Sequence, residues 1–278
     1  MKIAICNETY RDWTFESAFA HAAEAGYDGI EIAPFTLNED AFQIPQKQIE
    51  EVVALAQEHG LEIIGLHWLL AFTKGLNLTS PAEATRIRTA DYLIQLAQIC
   101  RQLGGHVMVL GSPQQRQMAS GMTVEQGNQN ALDCLSRCLP AFQEHSVRLA
   151  LEPLGPEEGN FLLTADWGRQ LIKQLGSEFV KLHLDVKAMS TEEDSIPSII
   201  QASKNELVHF HANDPNRRGP GMGNVDYAPI IAALNEIGYD GWLSVEVFDN
   251  EVPPKQTALE SIQYLKNVFA SLPETARQ

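Results

Sequence analysis

The chain has 278 residues, 44% of them hydrophobic, and a formal net charge of −16. So acidic a surface repels a phosphate backbone and argues against general nucleic-acid binding. No apolar run reaches the roughly 20 residues that span a bilayer, and the length suits one large domain.

The N-terminal MKIAICNETY starts as a strand without the layout of a signal peptide, so a cytoplasmic protein is expected. Strand candidates follow in order: IAIC (3–6), GIEIA (29–33), LEIIGLH (61–67) and HVMVLG (106–111) in the first half. VRLALE (147–152), FVKLHLD (179–185), ELVHFH (206–211) and GWLSVEV (241–247) complete the set. Most are apolar without alternation, which suits parallel strands buried on both faces.

Helical periodicity fills the gaps. Phe15, Ala18, Phe19 and Ala22 form one stripe over 14–25, and Ile49, Val52, Val53 and Ala56 another over 46–59. The longest helix is expected over 81–103, with Pro81 in its first turn and Ser80 as its cap. Further helices are read at 123–145, 164–175, 192–203, 226–237 and 255–270, with Thr164 and Asp226 as N-caps. Gly26, Gly60, Gly104, Gly176 and Gly238 follow helices, where a left-handed cap is wanted. Of the four cysteines, Cys134 and Cys138 stand one helical turn apart with no nearby histidine. Helix packing is expected of them rather than zinc binding or a disulfide framework.

Strict alternation of strand and helix predicts an α/β chain closed as a single-domain (β/α)8 TIM barrel over 1–278, with a polar tail at about 271–278. The turn after the first strand, NETYRDW, lacks the glycine-rich phosphate signal of an open doubly wound sheet.

In such a barrel, chemistry collects at the C-terminal ends of the strands. Glu152, Asp185, His211 and Glu246 fall there on strands five to eight, roughly thirty residues apart, about one strand plus one helix. Any one alone reads as a surface or capping residue. Together they suit a hard or borderline divalent ion, because carboxylates crowded without a cation resist joint ionisation.

The stretches LALEPLGPEEGN, HLDVKAM, HFHANDPNRRGPGMGN and SVEVF resemble the motifs of the xylose-isomerase-like barrel superfamily. That group includes sugar isomerases and ketose 3-epimerases, hydroxypyruvate isomerase, inosose dehydratase and endonuclease IV. The resemblance covers essentially the whole chain and is strongest in its second half. It implies that Glu152, Asp185, His211 and Glu246 hold one divalent metal ion, Mn²⁺ first, with Mg²⁺, Co²⁺ or Zn²⁺ as alternatives. It implies that Glu152 and Glu246 are also the catalytic acid and base on opposite faces of a sugar. Glu158 matches a carboxylate that contacts substrate, Arg217 a positioning arginine, and Phe248 an apolar wall. His67, at the end of strand three, matches a histidine near the substrate. GPGMGN resembles a glycine-rich turn after strand seven.

One departure stands out. The epimerase pattern has a histidine three residues after the strand-six aspartate, where this chain has Ala188, preceded by Lys187. Lys187 would bring a cation that suits an anionic or ketonic substrate. His183 and His209 lie two residues below Asp185 and His211 on the same strand face, where filling the core is expected of them first and support of the ligands second. Trp13 and Trp68 are candidates for a lid, and Asn7, Glu8 and Glu31 are weaker rim candidates.

The expected activity is a metal-dependent isomerase or epimerase of a small sugar, polyol or hydroxy-keto substrate, working through an enediolate. A lyase of inosose-dehydratase type is the alternative. A repair endonuclease is disfavoured, since Ala188 and Ala228 stand where further ligands would be needed. A non-catalytic metal-binding barrel is disfavoured by the retained glutamates and Arg217. The expected partner is a small carbohydrate-like molecule, with no nucleic acid and no membrane. Assembly into a homo-oligomer stays open.

Overall fold

A computed structural model describes residues 1–249 and 251–272. Eight parallel strands close into a barrel in sequence order, β8 pairing back to β1. They are β1 (Lys2–Cys6), β2 (Gly29–Ile32), β3 (Glu62–Leu66), β4 (Val107–Leu110), β5 (Arg148–Leu151), β6 (Val180–Asp185), β7 (Leu207–Ala212) and β8 (Trp242–Val245). Each matches its expected stretch to within a residue or two.

The helices are α1 (Phe15–Ala25), α2 (Gln46–Glu58), α3 (Glu83–Gln102), α4 (Val124–His145), α5 (Ala165–Leu175), α6 (Val186–Met189), α7 (Ile196–Ala202), α8 (Tyr227–Glu236) and α9 (Pro254–Ser271). Thr164 caps α5 by accepting from Trp167 N–H, and Asp226 caps α8 by accepting from Ala228 N–H. Gly26 and Gly176 take the left-handed cap conformation. From Pro273 on, the expected polar tail lies outside the described residues.

Two helix expectations change. The helix expected to be the longest starts at Glu83, not at Pro81, with Ala82 rather than Ser80 as its cap, and at 20 residues it is shorter than α4, which has 22. Arg86 explains the delay, because its Nη1 donates to the carbonyls of Ser80 (2.8 Å) and Pro81 (3.1 Å), outside the helical ladder. The span read as one helix over 192–203 is only α7, which Ser195 caps. The extra turn α6 starts earlier because Asp185 Oδ1 accepts from Ala188 N–H at 2.8 Å.

The main apolar core lies between sheet and helices, where Ile3, Ile5, Ile30 and Ile32 meet Phe19, Ala22 and Val52. Burying each such large aliphatic or aromatic side chain stabilises the fold by about 1.5–3 kcal/mol. Residues of the other strand parity face inward. Ala4, Ile64 and Trp242 form one inner cluster, and Val107, Val109 and Ala150 another. Above them the interior turns polar, with Glu31, His183, His209 and Ser244 all fully buried.

Candidate active site

The upper mouth of the barrel gathers the expected ligands. Asp185 and His211 stand directly opposite on β6 and β7. Glu152 and Glu246 follow the last residues of β5 and β8, and Glu246 N–H donates to Ala212 O at 3.3 Å. All four side chains are buried, at 4% exposure or less. Ligand atoms of Glu152, Asp185, His211 and also His183 lie within 4.8 Å of one another. Glu246 joins through His211, whose Nδ1 is 3.0 Å from Glu246 Oε2. Glu246 also falls in a second group, with Cys6, Glu8 and His67.

The electrostatics are those of carboxylates short of positive charge. Burial, then Glu246 and Asp185, push the Glu152 carboxyl well above its ordinary range. Burial also raises Glu246, although His211 opposes it. For His211, burial alone would lower the pKa, but Glu246 and Glu31 carry it well above the usual imidazole value. Arg116 is the buried cation closest in character to a counter-ion, yet its Nη1 donates to backbone, at 2.5 Å to Glu152 O and 3.3 Å to Leu110 O. Burial pulls its pKa down to about 10. A divalent ion fits this donor set, since it supplies the missing charge to three carboxylates and an imidazole.

Asp185 is held by both oxygens. Oδ1 caps α6, and Asn213 Nδ2 donates to Oδ2 at 2.5 Å. Asn213 Oδ1 in turn accepts from Lys187 N–H at 2.8 Å. Glu152 packs against Gly111, where an added Cβ would lie 1.6 Å from Glu152 Oε2. Glycine is therefore required beside this carboxylate.

Lys187, Glu158, Arg217 and Phe248 come together on one side of the mouth. Lys187 Nζ donates to Glu158 Oε2 at 2.5 Å and lies 5.1 Å from the Phe248 ring centre. Burial would lower the Lys187 pKa, but Asp185 and Glu158 raise it, so the amine stays a cation. The exposed Arg217 guanidinium lies 5.8 Å from the same ring. Arg217 has φ +70°, and its carbonyl accepts from Phe248 and Asp249 N–H, tying the loop after β7 to the end of β8. Glu158, Lys187, Ser190, Thr191 and Arg217 line a cavity of about 310 Å³.

His67 lies on the other side, fully buried, with Nε2 2.6 Å from Glu8 Oε2. Burial would lower its pKa, but Cys6 and Glu8 raise it well above the usual value. Trp68 follows at φ +52°, a costly conformation for a bulky residue. Its ring centre is 5.8 Å from that of Phe248 and 5.9 Å from that of Phe35. Trp13 packs instead against Tyr10, tilted, and edge-on against His21, so the two tryptophans have different ring partners.

The inner histidines divide. His209 Nε2 pairs with Glu31 Oε2 at 2.9 Å. Among the described residues, His183 has neither ring nitrogen hydrogen-bonded, and burial, then His211 and His209, push its pKa well below the usual value. Sequence reasoning missed Arg116 and Asn213. Arg116 sits in the polar run SPQQRQM, which looks solvated, while Asn213 in HANDP was one register step past a named ligand.

The family model of the xylose isomerase-like TIM barrel matches residues 19–268. The chain belongs to that family. Within the xylose isomerase-like barrels it is similar to the L-ribulose 3-epimerase of Methylomonas sp. (strain DH-1), 27% identical over 250 residues, covering 87% of this chain and 82% of that one. It is also similar to the D-psicose 3-epimerase of Ruminiclostridium cellulolyticum, 27% identical over 230 residues, covering 81% and 75%. Among solved structures, an apo 3-keto-D-glucoside 4-epimerase from E. coli superposes with a TM-score of 0.84 at 22% identity, covering 96% of this chain and 99% of that one, a likeness of fold. No helix of the described residues is long and apolar enough to cross a membrane.

Proposed function

We propose that this chain is a divalent-metal-dependent sugar epimerase acting on a small ketose. The observation that carries the reading is the burial of Glu152, Asp185 and His211 with their ligand atoms within 4.8 Å of one another at the strand ends, and of Glu246 against His211, with too little positive charge among them. Relatives named as ketose 3-epimerases along most of the chain support it and favour epimerisation over the lyase reading.

Glu152, Asp185, His211 and Glu246 would hold the ion, with Mn²⁺ the first expectation. When bound, the ion would supply Lewis-acid stabilisation of the negative charge that develops on substrate oxygen as a proton leaves carbon. One of Glu152 and Glu246 takes the proton from carbon on one face of the sugar. The other returns a proton to the opposite face, which inverts the centre. Glu158, paired with Lys187, and Arg217 bind substrate hydroxyl or carbonyl oxygens. His67 closes the far side, and Phe248 with Trp68 excludes water along one wall.

The test is incubation with Mn²⁺ and a panel of ketoses, inososes and hydroxypyruvate, followed by product analysis. Epimerisation yields products of unchanged mass. Loss of water from an inosose, with every ketose untouched, would reject the reading in favour of the lyase.

A further inference from the structure

His211 has one nitrogen turned to the mouth because the other is already engaged. Glu31 stands below it, fully buried on β2, just past an irregularity in the β2–β3 register between Ile30 and Glu31. Its Oε2 lies 3.1 Å from His211 Nε2 and 2.9 Å from His209 Nε2. The two rings are 5.2 Å apart at 78°, so a single oxygen meets an edge of each. Cys6 Sγ approaches the same oxygen at 3.6 Å.

A carboxylate accepts hydrogen bonds and cannot donate them. A bare Nε2 at this distance would set two lone pairs against each other. The contact therefore requires the His211 proton on Nε2, and a neutral ring then leaves its lone pair on Nδ1. Nδ1 faces Glu246 Oε2, a second acceptor, at 3.0 Å. Two acceptors that close inside a barrel need a cation or a proton between them.

We propose that Glu31 is the positioning residue of the metal site, fixing His211 in the Nε2–H form so that Nδ1 is presented as a ligand beside Glu246. The inference rests on the metal-binding reading above. A carboxylate behind a ligating histidine both sets the ring's orientation and raises its basicity, and loss of such a partner typically weakens metal binding about 10–100-fold. Gln at this position keeps the shape but offers an amide that can donate, which removes the constraint on the His211 proton.

Two measurements test it. The first is nitrogen-15 NMR of histidine-labelled, Zn²⁺-loaded wild type, in which His211 is expected as the Nε2–H tautomer with metal on Nδ1. A proton on Nδ1 would overturn the proposal, and this arm needs no variant. The second is calorimetric titration of Mn²⁺ into wild type and E31Q. E31Q is expected to bind about 10–100-fold more weakly while its metal-free melting temperature stays close to that of wild type. Binding by E31Q within twofold of wild type would overturn the proposal and leave the metal reading standing. Wild type that binds no divalent ion would end both.

Discussion

His211 Nδ1 and Glu246 Oε2 meet at 3.0 Å across the ends of β7 and β8, both fully or almost fully buried. The two residues are 35 positions apart in the chain, and the parallel pairing of β7 with β8 is what joins them. Their contact sets the chemistry of the mouth, since neither group can stay there uncharged by its neighbour without a proton or a metal ion. The first expectations concern that pairing.

E152Q and E246Q each remove a carboxyl group proposed to transfer protons while keeping side-chain shape. Turnover is expected to fall by at least about 10²–10⁴-fold, the usual contribution of a positioned acid or base. Circular dichroism should report an intact barrel in both. Activity near wild type in either variant would reject its role in proton transfer.

Chelation should destabilise the protein. Metal bound to the folded state alone stabilises it by about 2.7 kcal/mol at a hundredfold excess over Kd. For a domain of this size, EDTA should lower Tm by several degrees, at roughly 2–4 °C per kcal/mol, and added Mn²⁺ should restore it. Scanning calorimetry checks this.

Gly111 should tolerate no side chain. The added Cβ of G111A would sit 1.6 Å from Glu152 Oε2 and 2.7 Å from its carboxyl carbon, so Glu152 must move. Turnover and Mn²⁺ affinity should both fall at least tenfold, as ligand geometry is lost. Unchanged metal affinity would show that Glu152 has another resting place.

Lys187 and Glu158 should act as a unit. Charge-assisted hydrogen bonds contribute about 1.5–3 kcal/mol, so K187M and E158Q should each lower kcat/KM about 10–100-fold. The double variant should lose little more than the worse single one, because the two effects share one contact. Full additivity on the logarithmic scale would mean that they work separately.

Much of this architecture is legible in the chain because its apolar strand runs alternate with amphipathic helices, most of which are followed by a glycine or begin on a capping side chain. Glu152, Asp185, His211 and Glu246 are legible for the same reason: each follows such a run, and parallel strands bring their ends to one rim. Contacts set by tertiary closure are not. Arg116 is polar in a polar loop, and only folding turns it under β4 and β5. Glu31 reads only as a weak rim candidate until the barrel interior brings His209 and His211, far along the chain, against it. The start of α3 is lost to Arg86, a side chain within the helix that captures carbonyls ahead of it.

A pH expectation follows from Asp133, which joins α3 to α4. Arg86 Nε donates to Asp133 Oδ2 at 2.8 Å and Arg137 Nη2 to Oδ1 at 2.9 Å. Partial burial alone would raise the Asp133 pKa, but the two arginines hold it below the ordinary aspartate value of 3.8. A depressed folded pKa stabilises above the unfolded value and is lost as pH falls through the folded one. D133N should therefore cost up to about 1 kcal/mol near pH 7, the range of a partly exposed pair. Its deficit relative to wild type in denaturant titrations should shrink once pH drops below about 4.

The most direct measurement is solvent exchange. Wild type, loaded with Mn²⁺ and incubated in D₂O with L-ribulose or D-psicose, should place deuterium on carbon 3 as seen by NMR. The exchange should stop on chelation and be absent in E152Q and E246Q. No deuterium in any ketose tested, or exchange that proceeds unchanged in EDTA, would contradict proton transfer by these two glutamates at a metal site.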